Sequence, residues 1–190
     1  GLIGAALIVR WFIIAYWPFT AYDALWVYGY QGRLYALDGF IPQSIGYYPQ
    51  YLALQYAFQQ IISGAINDHI ARAGLWFLHA ASIGAVYVLG RRLFDRRIGI
   101  FAAALWALYP HVGEWSRAGD LEILQAALFT LASAYVLTGW TGQRPRRWYA
   151  ALGGLMLGIG LWTKPTMGAF VWGLALIAGL ELVRARFNVR

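Results

Sequence analysis

The chain has 190 residues, 61% hydrophobic and 12% charged, with a formal net charge of +7 and a mean hydropathy of +0.53. Soluble domains carry about 25% charged residues, so this composition excludes a fully water-covered surface and makes the bilayer the expected solvent. The basic balance then reads as loop placement rather than nucleic-acid binding, and the absence of cysteine excludes disulfides, thiol chemistry and a Cys-built metal site.

A spanning helix needs about 20 mostly apolar residues. In chain order the sequence predicts spans at 1–17, 70–90, 98–115, 121–140, 148–163 and 166–183, with a long loop at 18–69. The first run carries Arg10 in its middle and no small-residue cleavage site, so it is read as a span and not as a signal peptide. The run 51–66, "YLALQYAFQQIISGAI", has Gln55, Gln59 and Gln60 on one side and is expected to lie in the membrane interface as a helix. Gly154 and Gly158 in the fifth span stand at small-xxx-small spacing, which permits close helix packing. The expected fold is all-α, one polytopic transmembrane domain. It begins inside one apolar run and ends just past another, and is expected to be the N-terminal part of a longer protein.

Sidedness follows from arginine. The segments "RRLFDRR" (91–97), "TGQRPRRW" (141–148) and "VRARFNVR" (183–190) hold ten of the fourteen arginines and alternate with poorly basic connections. The positive-inside rule assigns all three to the cytoplasm. The loop 18–69 and the turns at 113–120 and 163–166 are then external. Six of the eight acidic residues fall there or at its edge: Asp23, Asp38, Asp68, Glu114, Asp120 and Glu122. The tryptophans agree, with Trp17, Trp115 and Trp162 at outer ends and Trp140 and Trp148 at inner ends.

Charges in or near a span usually pair or line a polar cavity. Asp23 suits either an N-cap or a general base. Asp120 reads as the N-cap of the fourth span, with Glu122 in its first turn complementing the dipole. Arg117 either pairs with Asp120 or is free for an anionic ligand, since its planar fork matches phosphate or carboxylate. Lys164, the only lysine, stands on the sparsely basic side, and Arg72 opens the second span. His69, His79 and His111 lack zinc-ligand spacing, and His79 reads as a satisfied packing residue. Seven tyrosines between Tyr22 and Tyr51 add hydroxyls and ring faces suited to sugars.

These pieces, in order, resemble the N-terminal half of polytopic GT-C fold glycosyltransferases, the protein O-mannosyltransferase and aminoarabinose transferase group. The matching residues are Asp23 in "AYDALW", Tyr48-Pro49 in "YYPQYLAL", the run "LGRRLFDRRIGIFAAALWALYP", "SRAGDLEI" with Arg117 and Asp120, and "GLWTKPT" with Lys164. Many members carry a second acid where Ala24 stands and a second proline where Gln50 stands, which leaves sugar and acceptor open. The resemblance implies an inverting transfer from a dolichyl- or polyprenyl-phosphate-linked sugar to a protein, lipid or glycan acceptor. Asp23 would be the base. Arg117, Lys164 and Arg72 would neutralise the leaving phosphate, Asp120 would orient Arg117 or the acceptor, and Tyr22 and Tyr48 would line the substrate site. No metal site and no required cofactor are expected, with a divalent cation left open. The expected setting is the plasma or inner membrane, among membrane lipids, with the active face external. A secondary transporter or lipid flippase, or a non-catalytic membrane scaffold, are the competing readings. A transporter site is expected nearer the midplane, and a scaffold would use Asp23 and Asp120 only as caps.

Overall fold

In the computed structural model, residues 1–42, 49–141 and 147–187 are described. The architecture is all-α, with no strand among those residues. The elements are α1 (Leu2–Tyr16), a π-helical stretch (Ala24–Gly29) running into α2 (Tyr30–Asp38), α3 (Tyr51–Ser63) and a short α4 (Asp68–Ala71). A 3-10 turn (Arg72–Gly74) leads to α5 (Leu75–Leu93). Then follow α6 (Arg96–Leu108), α7 (Pro110–Ala118), α8 (Glu122–Thr141), α9 (Arg147–Thr163), a 3-10 turn (Pro165–Met167) and α10 (Gly168–Phe187).

Polarity is inverted relative to a soluble protein. Phe77 is 67% exposed and Trp172 78%, while Arg72, His79, Gln31 and Gln60 are buried. Such an exterior matches lipid and not water. Two helical stretches, Asp68–Leu93 and Glu122–Trp140, are long and apolar enough to cross a bilayer. The principal packing runs α6 on α5, α5 on α8 and α8 on α9, with α2 on α3 beside it. The larger core gathers Ile14, Phe19, Tyr28, Leu52, Tyr56, Leu75, Leu121 and Met167 where α1 ends and α8 begins. A smaller one of Ile83, Ala103 and Ala107 joins α5 to α6, with Leu7 of α1 against it.

Two local readings change, at 98–115 and at Gly154 and Gly158. The expected span 98–115 is two helices, because Tyr109 is extended (φ −66°, ψ 120°) ahead of Pro110. A residue before proline is driven out of the α region by the ring, so α7 starts afresh with proline at its first position. The interfacial segment forms α3, whose 13 residues cover roughly 20 Å, too short to cross. Its Gln60 points into the protein, where the amide donates to the Tyr56 carbonyl, while Phe58, Ile61 and Ile62 face outward. In α9, Gly154 and Gly158 have open space around them, and the close approach falls at Gly153, where an added Cβ would lie 3.0 Å from Val136 of α8.

Candidate active site

The turn between α7 and α8, "AGD", is held from behind. Gly119 has φ +89°, and a Cβ there would lie 2.5 Å from the Phe19 ring, so only glycine fits. A helix C-terminus leaves carbonyls without helical partners. The Tyr56 hydroxyl donates to the Gly119 carbonyl at 2.5 Å, and Arg72 Nη2 donates to the Arg117 carbonyl. Burial, above all, pushes the Tyr56 phenol up, so it stays a neutral donor. Arg72 has no exposed surface and lies 5.6 Å over the Phe19 ring. Its cation at the end of α7 complements the helix dipole. Its Nε and Nη1 have no hydrogen-bond partner among the described residues.

Beyond this turn the charges of Asp23, Glu122 and Lys164, from three chain segments, all act on Asp120. Asp120 is 8% exposed. Its carboxyl is pushed up to about 7, first by burial and then by Glu122 and Asp23, with Lys164 opposing. Lys164 Nζ lies 3.7 Å from Glu122 Oε1, and Gln125 of α8 donates to Thr166 Oγ1 at 2.9 Å, joining the same two segments. Asp120 is not the cap of α8. Gly119 reverses the chain, Leu121 drops into the core at 1% exposure, and the Leu121 carbonyl accepts the first helical bond from Gln125. Asp23 is itself helical (φ −65°, ψ −35°) and makes no capping bond, so its half-buried carboxylate is not consumed by local structure.

Arg117 pairs with Glu114, not Asp120, through both Nε and Nη2. Its guanidinium stacks 5.2 Å from the Trp17 ring and borders a cleft of about 470 Å³ lined also by Thr20, Ala21, His111 and Trp115. Tyr22, 73% exposed, stands beside Asp23. Tyr48 lies outside the described residues. Among the described residues no three His, Asp or Glu side chains gather as a metal site.

Sequence reasoning passed over three contributors. Arg10 reaches from α1 to the Gly113 carbonyl at 2.9 Å, and a Cβ on Gly113 would collide with its guanidinium. An arginine in an apolar span is a sufficient flag for such a contact, but it does not name the partner. Tyr56 gave no signal beyond its place in an apolar run. At the sequence level the helix dipole accounts for Glu122, whereas its partner Lys164 lies 42 positions away. The ring nitrogens of His79, expected to be satisfied, have no hydrogen-bond partner among the described residues.

An all-α exterior of lipid-facing side chains, with acids and cations drawn together at one end, defines an integral membrane protein with a polar site at the end of its bundle. The chain belongs to the dolichyl-phosphate-mannose-protein mannosyltransferase family, which it matches over residues 49–188. That membership places it among membrane glycosyltransferases of the mannosyltransferase type, which implies a lipid-linked sugar donor and an acceptor. The match covers Arg72, Arg117, Asp120 and Lys164 and begins after Tyr22 and Asp23. Neither a curated protein nor a solved structure matches the chain.

Proposed function

We propose that the chain transfers a sugar from a polyprenyl- or dolichyl-phosphate donor to an acceptor on the external face, with inversion, and that Asp23 is the general base. The observation that carries this reading is that the charges of Asp23, Glu122 and Lys164, from three separate segments of the chain, all act on the buried Asp120 carboxyl, with Lys164 Nζ 3.7 Å from Glu122 Oε1. The acceptor oxygen or nitrogen attacks the anomeric carbon as the carbon–oxygen bond to the lipid phosphate breaks. The acceptor's proton goes to the Asp23 carboxylate, and the bonding pair leaves with the phosphate.

Charge on that phosphate grows along the reaction, so fixed cations nearby stabilise the transition state more than the ground state. Arg117, bordering the cleft beside Trp17, and Lys164, beside Glu122, fill that role. Arg72 acts from behind: buried under Phe19, it fixes the Arg117 carbonyl and hence the turn. Asp120, near neutrality in its proton affinity, orients the acceptor and holds a proton beside Asp23. Tyr22, exposed beside Asp23, is assigned to the substrate site, as is Tyr48, on the resemblance alone.

The test is Asp23→Asn, assayed for transfer from a labelled polyprenyl-phosphate mannose and, separately, for retention of that donor. General base help is worth about 10²–10⁴-fold, so turnover falls by that order while donor retention and folding persist. Turnover equal to wild type would remove Asp23 from the chemistry.

A further inference from the structure

The opposite end of the bundle holds a second polar cleft, of about 280 Å³, between α5, α8 and α9. Tyr87, Arg91 and Arg92 line it from α5, Tyr135 and Thr138 from α8, and Tyr149 from α9. We propose that this cleft binds the phosphate of an anionic membrane phospholipid, in the leaflet opposite the transfer site.

Depth is the first support. Arg72 and Arg91 sit on one continuous helical rod, Asp68–Leu93, nineteen residues apart. At about 1.5 Å per residue that is roughly 29 Å, close to the roughly 30 Å of a hydrocarbon core. With Arg72 at one headgroup level, Arg91 and Arg92 are at the other.

Charge is the second. Arg91 and Arg92 are both exposed, and no carboxylate is within ion-pair distance of either among the described residues. Asp95, the acid nearest in sequence, is engaged as the cap of α6, where its Oδ1 accepts from Arg97 N at 2.7 Å and Ile98 N at 2.9 Å. Two forks without a counter-ion suit a phosphodiester.

Shape is the third. Tyr135 and Tyr149 stack with ring centroids 6.3 Å apart, forming a wall between α8 and α9. The Tyr87 hydroxyl lies 3.5 Å from Arg91 Nη1. Arginines serving only membrane orientation need no such enclosure, because exposed positions on any loop of that side satisfy the positive-inside rule. The lipid is a structural ligand here, and nothing in the inference depends on the transfer chemistry around Asp23.

Native mass spectrometry of the intact, delipidated chain tests it, titrating phosphatidylglycerol, phosphatidylcholine or inorganic phosphate. Juxtamembrane cations each contribute about 1 kcal/mol toward an anionic surface. With two such cations in the cleft, wild type is therefore expected to retain phosphatidylglycerol roughly thirtyfold better than phosphatidylcholine. The double variant Arg91→Gln/Arg92→Gln loses that preference, and Arg97→Gln, exposed on the same side outside the cleft, keeps it. Equal retention of the two lipids by wild type overturns the proposal. So does a preference that survives the double variant or disappears equally in Arg97→Gln. Displacement of the lipid by an equimolar amount of inorganic phosphate also overturns it, since the site would then be one for free phosphate. Transfer activity is measured in parallel. Loss of the lipid preference with turnover intact supports this inference alone, and loss of turnover in Asp23→Asn with the preference intact supports the transfer reading alone.

Discussion

At one end of the bundle Arg91, Arg92, Arg96 and Arg97 stand exposed around Asp95, whose carboxylate caps a helix. At the other, Arg72 has no exposed surface and Asp120 is 8% exposed. The first arrangement carries charge where water and headgroups can screen it, at little cost. The second holds charge in low dielectric, which several kcal/mol of desolvation oppose, and it persists because Phe19, Tyr56 and the carbonyls of α7 enclose it. Charge at the exposed end sets orientation and meets lipid. Charge at the buried end fixes a turn and perturbs a carboxyl. That is the arrangement chemistry needs.

Glycine substitutions break this contrast most sharply. Gly119→Ala meets two penalties, a left-handed backbone and a Cβ against Phe19. They add to about 2–5 kcal/mol, and the neighbouring acids are displaced with the turn. Gly158→Ala in α9 has open space and gains helix propensity, so it is neutral or stabilising by up to about 1 kcal/mol. Thermal or SDS denaturation in detergent separates the two. Equal effects would mean that the turn has no special hold.

Arg72→Met comes next. It keeps the buried stem, removes the donor to the Arg117 carbonyl and leaves that carbonyl unsatisfied, at a cost of about 1–3 kcal/mol. The gain from no longer desolvating an ion with two nitrogens unpartnered among the described residues offsets part of this. Arg96→Gln at the exposed end changes stability by no more than about 0.5 kcal/mol. A stabilised Arg72→Met with full transfer activity would show that the buried cation is dispensable to both fold and turn.

How much of this was legible in the sequence depends on the range of the interaction. Helix type and order follow from hydrophobic runs, and the clustering of most arginines in three connections and of most acids in the others is read directly from the sequence. The break at Tyr109 was legible too, since Pro110 stands in the run, yet apolarity alone carried the span through it. What composition and spacing do not carry is the rotation of one helix against its neighbour. Gly153 and Gly154 differ by about 100° around α9, and only one of them meets α8. The same holds for Arg117, whose partner proved to be three residues back on its own helix, and for Arg72, whose partner is a carbonyl that no side-chain pattern marks.

The last effect concerns Asp120 and has a definite sign. Its carboxyl is raised from the ordinary 3.8 to about 7 in the folded chain, chiefly by burial. Between those values the folded state holds a proton that the unfolded state has released. The stability belonging to that proton is therefore complete below about pH 4 and is lost as pH rises toward 7. Asn mimics the protonated acid and does not titrate. The midpoint of Asp120→Asn should accordingly gain on wild type between pH 5 and pH 8, whatever its absolute position. Gly158→Ala, which leaves the acids untouched, should keep a constant offset from wild type over the same range. A pH-independent gap between Asp120→Asn and wild type would mean that Lys164 keeps the Asp120 carboxylate ionised throughout. The proton beside Asp23 would then have to be held elsewhere, and Glu122, which shares Lys164, is the group to substitute next.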